Sequence, residues 1–269
     1  IPVAHLEAGL RSYDERMPEE INRVLTDRIS DILLTPSVDA NDNLIKEGIN
    51  PEKIHFVGNI MIDSLIGHQK KAELSGILYK LTLNQDESYV LVTLHRPSNV
   101  DEYNGLKMLL TSLVEIGKHI KIIFPMHPRT KKNIQNFGLS NYVNTSKNLI
   151  ITEPLGYFDF IKLEKNAKLI LTDSGGVQEE STYFSVPCLT LRENTERPIT
   201  ITEGTNQLVD LNVESIVNNS LEIIEGKVKI GKIPEYWDGK TAERVVKVLD
   251  KWFEKRDIAT ESTEDTEKI

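Results

Sequence analysis

The chain has 269 residues and a formal net charge of −9 at pH 7, with 39% hydrophobic and 27% charged residues. This length can bury a large core in one or two domains. The composition excludes a wholly disordered or collagen-like protein, and the acidity disfavours binding to nucleic acids or anionic membranes. Every apolar run is shorter than the roughly 18–20 residues of a membrane helix. The single cysteine, Cys188, excludes an internal disulfide and fits a reducing compartment, so we expect a cytoplasmic protein.

Short apolar runs alternate with longer amphipathic stretches along the chain. The predicted strands are 31–35, 53–57, 89–94, 121–124, 148–152, 167–172, 187–191 and 206–209, after a short strand-like start at 2–4. The predicted helices are 18–28, 37–47, 60–74, 101–118, 130–137, 157–165, 176–184, 214–225 and 241–255. Continuous apolar runs are typical of parallel strands covered on both faces. This alternation predicts a doubly wound α/β architecture.

The chain is expected to form two domains. Residues 1–72 supply only two or three strands, half of such a domain, and 73–88 are interpreted as a linker because they carry no strand signal. Residues 89–240 are expected to form a complete six-strand domain. The helix 241–257 has one apolar stripe and is expected to pack back on the first domain. The tail 258–269, rich in Thr, Glu and Ser, is expected to be disordered, and Asp101 and Thr241 are expected helix caps.

The strongest motif lies at residues 171–180, where an apolar strand runs into Ser174-Gly175-Gly176 and then a helix. The glycines let the backbone approach a ligand closely, and the free amides of the helix start can bind a diphosphate. The Ser174 hydroxyl adds a donor, and Glu180, one helical turn on, could accept hydrogen bonds from a sugar or ribose diol. A plain strand-to-helix turn is an equally weighted alternative.

Two carboxylates near the start of the chain are candidates for acid/base chemistry. Glu7 lies among small and apolar residues, and Glu19 lies in the first turn of a helix opened by Pro18. A carboxylate in a partly apolar cleft has a raised pKa and can transfer a proton near neutral pH. The structural alternatives are a salt bridge from Glu7 to Arg11 and a helix-dipole role for Glu19.

Basic side chains follow several predicted strands. His95 and Arg96 follow 89–94, His127 follows 121–124, and Arg197 follows 187–191. Ligands of open α/β sheets bind outside the carboxyl ends of the strands, where His can transfer a proton and Arg can bind phosphate. The sequence contains no metal-binding, dinucleotide-binding or P-loop motif, so we expect no metal and no cofactor. These residues indicate a protein that binds a phosphorylated small molecule between two domains.

Taken together, the motifs resemble those of the non-hydrolysing UDP-N-acetylglucosamine 2-epimerases, which have a glycosyltransferase-B-like fold. The matching segments are 5–11, 18–23, 93–96, 127–128, 172–180 and 195–198. The resemblance implies two Rossmann-like domains that close over a UDP-sugar without NAD or metal, and it implies a homodimer. It implies interconversion of UDP-GlcNAc and UDP-ManNAc by removal of the C2 proton with elimination and re-addition of UDP. It further implies that the first ~95 residues, about one half-domain, are absent, so we expect a truncated copy with an incomplete first domain.

The resemblance also assigns roles to residues. The acid/base or substrate-contact positions are occupied by Glu7, Glu19 and His95. The positions that hold the uracil, ribose and diphosphate are occupied by Leu155, Phe160, Ser174, Gly175, Gly176, Glu180 and Arg197. Arg96 and His127 fall near a second UDP-GlcNAc molecule that activates bacterial members.

Several alternatives share these motifs. A hydrolysing 2-epimerase, or an epimerase of another UDP-HexNAc, would have nearly the same site. A glycosyltransferase of the same fold is less favoured because nothing indicates an acceptor groove. A non-catalytic UDP-sugar-binding fragment is the alternative from a different functional class.

Overall fold

The computed structural model describes residues 1–84 and 87–264, apart from the side chains of Thr145 and of 256–264. Its strands are β1 (Ala4–Leu6), β2 (Ile32–Thr35), β3 (Ile54–Phe56), β4 (Tyr89–Thr93), β5 (Lys121–Pro125), β6 (Leu149–Thr152), β7 (Leu169–Thr172), β8 (Cys188–Thr190) and β9 (Asn206–Leu208). All strand pairs are parallel. The α/β class predicted from the sequence is therefore confirmed.

The helices alternate with these strands. They are α1 (Pro18–Ile29), α2 (Val38–Lys46), α3 (Ile60–Glu73), α4 (Ile77–Lys80), α5 (Pro97–Val100), α6 (Tyr103–Ile116), α7 (Pro128–Asn136), α8 (Ser140–Thr145), α9 (Tyr157–Asn166), α10 (Gly175–Tyr183), α11 (Ile199–Thr202), α12 (Val213–Ile224) and α13 (Thr241–Glu264). The longer helices begin and end within one or two residues of their predicted bounds, except for α13. The four short helices α4, α5, α8 and α11 were not predicted, because one turn is too short to show a helical period.

Helix α13 continues to Glu264. The expected disorder is therefore wrong for residues 258–264. Residues 241–264 contain neither Gly nor Pro, and nothing in their sequence ends the helix at 257. The remaining part of the predicted tail, 265–269, lies outside the described residues. Within the described part of the chain, no helix is long and apolar enough to cross a membrane.

The chain divides into two compact units. Unit 1 comprises Ile1–Ser64 and the chain from Glu235 on, and unit 2 comprises Leu65–Pro234. The division falls inside α3 and not at the predicted linker 73–88. Ile77 and Leu83, which lie in that predicted linker, are buried in a core of unit 2. The sequence did not indicate this burial because the residues around them are polar.

Unit 2 contains a six-stranded sheet of order β6-β5-β4-β7-β8-β9. Both faces of the sheet are covered. Val90 and Val92 of β4 enter a core with helices α6 and α12, while Tyr89 and Leu91 enter a second core on the opposite face. This two-sided burial explains the continuous apolar runs in the sequence.

Unit 1 contains a three-stranded parallel sheet of order β1-β2-β3. Leu33 of β2 packs with Ala8 and Leu44 on one face. On the other face, Ile32 and Leu34 pack with Val57 and with side chains of α13, namely Val245, Val248, Leu249 and Trp252. The apolar stripe of α13 therefore lies against the sheet of unit 1.

The two expected helix caps have other roles. Asp101 accepts hydrogen bonds from Nε of Arg129 (2.8 Å) and Nδ2 of Asn133 (3.0 Å), and Glu102 occupies the N-cap position of α6. At the start of α13, the Asp63 carboxylate accepts from the backbone N–H groups of Thr241 (3.1 Å) and Ala242 (2.8 Å). A cap supplied from 178 residues away cannot be read from the local sequence.

The turn after β1 provides a test of this packing. Gly9 has φ +81°, and an added Cβ would lie 2.9 Å from the carbonyl carbon of Ala40 and still closer to its oxygen. Gly48 has φ +79° but open space around it. We expect Gly48→Ala to cost about 1 kcal/mol for its left-handed backbone, and Gly9→Ala about 3 kcal/mol or more because the clash is added.

Urea unfolding of both variants, followed by circular dichroism, measures the difference. Because the two glycines share a backbone conformation, Gly48→Ala is the matched control for strain without contact. Equal losses in the two variants would contradict the packing of Gly9 against Ala40.

Candidate active site

The strand order of unit 2 reverses at β4, which has β5 on one side and β7 on the other. In open parallel sheets, such a reversal leaves a crevice outside the carboxyl ends of the two central strands. His95 and Arg96 follow β4, and Ser174 and Gly175 follow β7. The topology thus brings together two of the motifs that the sequence singled out.

A buried carboxylate connects these two strand ends. Asp173, with no exposed surface, accepts hydrogen bonds from the backbone N–H groups of His95 (3.0 Å) and Arg96 (2.9 Å) and from Nδ2 of Asn99 (3.0 Å). Asn99 also donates to the carbonyl of Leu191, at 2.8 Å. Asp173 therefore holds the loop after β4 against the end of β7.

Asp173 also contacts the His95 side chain, whose Nδ1 lies 3.2 Å from a carboxylate oxygen. Burial lowers the pKa of His95, and the charges of Arg96 and Arg192 lower it further, although Asp173 acts in the opposite direction. The imidazole is therefore neutral at pH 7, as a proton acceptor must be. The His95 side chain remains 40% exposed, so a ligand can reach it.

The start of α10 has the form of an anion-binding site. Ser174 is the N-cap residue, and its own side chain makes no capping hydrogen bond to this helix start. Arg197 lies directly over Gly175, where an added Cβ would be 2.8 Å from its guanidinium carbon. The free amides of the helix start and the guanidinium thus face the same space, while Gly176 has open space around it.

Three arginines surround one buried carboxylate at this end of unit 2. Glu196 lies 2.5 Å from Nη1 of Arg197, 2.8 Å from Nη2 of Arg192 and 3.6 Å from Nη2 of Arg96. Burial alone would raise the pKa of Glu196, but Arg197 and Arg192 lower it to about 2. Arg197 also pairs with Glu179 at 2.9 Å, so two buried carboxylates hold the guanidiniums of this cluster in place.

The predicted ribose ligand Glu180 lies on α10 with only 6% of its surface exposed. The Tyr157 hydroxyl, from the first turn of α9, donates to its Oε1 at 2.9 Å. Burial raises the pKa of Glu180, and the hydrogen bond from Tyr157 lowers it. Leu155 and Phe160, the predicted uracil contacts, lie beside Tyr157 in sequence and pack on the same core as Val177 of α10.

His127 of the predicted activator site is exposed at the N-cap of α7, where its Nδ1 accepts from the backbone N–H of Arg129 at 3.2 Å. Its ring lies 5.9 Å from the ring of His95. Arg96, the other predicted activator residue, contacts Glu196 in the cluster that contains Arg197. The residues assigned by resemblance to two ligands thus lie beside one another in unit 2.

In unit 1, Glu7 follows β1 in a left-handed backbone conformation, with φ 70°. Its Oε1 is buried without a hydrogen-bond partner in the described structure. The alternative of a Glu7–Arg11 salt bridge is wrong, because Arg11 pairs with Asp27 (2.7 Å) and Glu47 (2.7 Å). A strained carboxylate that carries no structural bond is typical of a functional residue.

Glu19 and its neighbour have different surroundings. Glu19 is exposed in the first turn of α1. Glu20 is buried and accepts hydrogen bonds from the backbone of Ser12 (3.0 Å) and Tyr13 (2.9 Å), and it pairs with Arg23 at 3.0 Å. Glu20 therefore holds the loop before α1, whereas Glu19 lies exposed in the same turn of the helix.

Sequence reasoning assigned no role to the residues that support the site, namely Tyr157, Asp173, Glu179, Arg192 and Glu196. Asp173 and Glu179 lie inside the Gly-rich motif at residues 171–180. A carboxylate in an otherwise buried stretch was the signal in the sequence that could have identified them. Arg192 and Glu196 are spaced by four residues next to a strand end, which is the spacing of an ion pair. Among the described residues, no group of three or more His, Cys, Asp or Glu side chains could hold a metal ion.

Comparison with known proteins identifies the family of this chain. Residues 1–250 match the family model described as UDP-N-acetylglucosamine 2-epimerase. The UDP-N-acetylglucosamine 2-epimerase of Methanocaldococcus jannaschii is 47% identical over 253 residues, which cover 93% of this chain and 69% of the relative. The enzyme of that name from Methanococcus maripaludis is 49% identical over 222 residues, which cover 81% of this chain and 61% of the relative.

One further relative and one solved structure extend the comparison. The UDP-2,3-diacetamido-2,3-dideoxy-D-glucuronate 2-epimerase of Pseudomonas aeruginosa is 37% identical, covering 93% of this chain and 68% of the relative. The crystal structure of the M. jannaschii enzyme in complex with UDP-GlcNAc and UDP superposes with a TM-score of 0.84, covering 93% of this chain and 69% of that one. The chain belongs to the UDP-N-acetylglucosamine 2-epimerase family.

Proposed function

We propose that the protein is an isomerase that interconverts UDP-GlcNAc and UDP-ManNAc. The observation that carries the proposal is the start of α10, where Arg197 lies over Gly175 beside the His95 loop. This arrangement offers a diphosphate helix amides and a guanidinium close to a neutral imidazole. The relatives named for this reaction, and the M. jannaschii structure with UDP-GlcNAc and UDP, support the choice of ligand.

The proposed reaction is an elimination followed by an addition. A base takes the proton from C2, the C–H electron pair forms the C1=C2 double bond, and UDP leaves C1 with the electron pair of the C1–O bond. UDP then adds back to C1 while a proton is delivered to the opposite face of C2. The guanidinium of Arg197, which Glu179 and Glu196 hold in place, would stabilise the charge that develops on the leaving diphosphate.

The individual roles are part of the proposal. Glu7, Glu19 and His95 would transfer protons at the sugar or contact it, because inversion needs groups on both faces of the ring. Ser174, Gly175, Gly176 and Arg197 would bind the diphosphate. Glu180 would accept the ribose hydroxyls, and Leu155 and Phe160 would hold the uracil.

The proposal extends to the activation of the enzyme, its oligomeric state and its cellular compartment. Arg96 and His127 are proposed to contact a second UDP-GlcNAc molecule that activates the enzyme. A homodimer in the cytoplasm is also proposed, and the buried, unpaired thiol of Cys188 fits a reducing compartment. Light scattering of the purified chain, with and without UDP-GlcNAc, measures the oligomeric state.

One alternative substrate is favoured by a specific observation. The Pseudomonas aeruginosa relative carries the name of a diacetamido-glucuronate 2-epimerase and matches over the same 93% of this chain. Both substrates share the UDP and the 2-acetamido carbon. Assays with each UDP-sugar, with the product separated by chromatography, distinguish the two.

The diphosphate site predicts the effect of Gly175→Ala. The new Cβ meets the guanidinium of Arg197, which is the flexible end of a side chain, so the fold should survive while Arg197 is displaced. We expect UDP affinity to fall by about tenfold or more, equivalent to about 1.4 kcal/mol. Gly67→Ala, an exposed helix position with open space, is the control and should bind UDP normally. Calorimetric titration that gave equal affinities for both variants would refute the diphosphate assignment.

The proposed proton transfer predicts the effect of His95→Ala. Turnover should fall by about a hundredfold or more because a positioned acid or base is lost, whereas UDP affinity should change little. His119→Ala, at the opposite end of the strands, is the control.

The same assay in D₂O tests the reaction itself. Deuterium should appear at C2 of the product in wild-type protein, as read by NMR. A product that retains its original C2 hydrogen would exclude the elimination route, and unchanged turnover of His95→Ala would remove His95 from the mechanism.

A further inference from the structure

Glu164 is a buried carboxyl group to which the site described above gives no role. It lies on α9 with none of its surface exposed. Neither of its carboxylate oxygens receives a hydrogen bond from any N–H or O–H group of the described residues. An ionised carboxylate in such a place would cost several kcal/mol. A proton on or beside Glu164 is therefore required.

The charged group that acts on the buried Glu164 is the carboxyl group of Glu180 on α10. Two neighbouring buried carboxyl groups cannot both be ionised, because neither carboxylate can donate a hydrogen bond and their charges repel. The pair therefore shares one proton and carries one negative charge. Burial and the charge of Glu180 raise the pKa of Glu164 well above its usual value.

The contacts decide which member keeps the proton. Glu180 accepts a hydrogen bond from the Tyr157 hydroxyl at 2.9 Å, and this bond together with that from Glu164 favours its ionised form. Glu164 has no such donor. The charge therefore rests on Glu180 and the proton on Glu164.

The other groups that face Glu164 are neutral. Tyr157 lies on the same helix, and the charges of Glu180 and Glu164 raise the pKa of its hydroxyl in addition to burial. Cys188 faces it from β8, and burial raises the pKa of this thiol to about 12, so that it too remains protonated. No described Lys or Arg pairs with Glu164, and Glu180 is its charged neighbour on α10.

We propose that Glu164 is a positioning residue that, as a neutral acid, donates a hydrogen bond to Glu180 and holds its carboxylate ready to accept the ribose hydroxyls of UDP. The inference rests on the proposed function, since it gives Glu180 its ribose role. Tyr157 and Glu164 then bind Glu180 from two sides and fix its rotamer. Loss of the shared proton at alkaline pH places two charges side by side and displaces Glu180.

The variant Glu164→Gln tests this role. Its amide can donate to Glu180 as the acid does, but it has no proton to lose. We expect wild-type UDP affinity to fall by about tenfold as the pH rises well above the usual range of a carboxyl group, while the ratio of wild-type to Glu164→Gln affinity falls with it. The titration of UDP itself cancels in this ratio. Glu164→Leu, which lacks a donor, should bind UDP weakly at every pH.

A probe without the diol separates ribose recognition from general damage. With 2′,3′-dideoxyuridine diphosphate, the wild-type and Glu164→Gln affinities should be equal at each pH, because Glu180 has nothing to accept. A wild-type to Glu164→Gln ratio for UDP that stays constant with pH would overturn the positioning role. A pH-dependent ratio that persists with the dideoxy probe would overturn the link to ribose.

Ligand-free unfolding tests the shared proton without reference to UDP. A group whose pKa is raised on folding binds more protons in the native state, so its stabilisation is lost as pH rises toward the folded pKa. The melting temperature of wild type should therefore fall relative to that of Glu164→Gln as pH rises above about 5. Parallel curves would overturn the shared proton. Failure of wild type to bind UDP at any pH would instead refute the proposed function and leave this stability test standing.

Discussion

The organisation of unit 2 around its ligand-binding edge depends on the buried carboxylate of Asp173. A carboxylate without exposed surface is tolerated only where donors compensate for its lost hydration. Two backbone N–H groups and the Asn99 amide do so, and they come from the chain segment that follows β4. The requirement to satisfy this one charge therefore sets the place of His95 relative to the start of α10.

The arginine cluster shows how a site for anions can be stable without its ligand. Three guanidiniums held together would repel one another, but Glu196 and Glu179 pair with them. The carboxylates also hold Arg197 over Gly175, which has no side chain to displace it. The guanidinium of Arg197 is therefore already oriented, and oriented charge is what the proposed function needs to stabilise a leaving diphosphate.

The carboxyl groups of the protein are used in contrasting ways. Hydrogen-bond donors surround Asp173, and two arginines lower the pKa of Glu196, whereas Glu164 is surrounded by groups that offer it no hydrogen. Glu7 is different again, because its backbone is strained and one of its oxygens is buried without a partner. Burial alone does not decide the charge of a carboxyl group; the donors within reach decide it.

The order of strands and helices follows from sequence alone, because apolar period, Pro, Gly and capping residues act within a few neighbours. The Gly-rich turn at 174–176 and the basic residues after β4 were recognisable for the same reason. The sequence did not determine that Asp63 caps α13, that Ile77 and Leu83 belong to a core, or that Arg11 binds Asp27 and Glu47 instead of Glu7. The pairing of Glu164 with Glu180 is of this kind too, since the two lie on different helices. Such contacts join residues far apart in the chain, and only the tertiary structure decides which charges and donors meet.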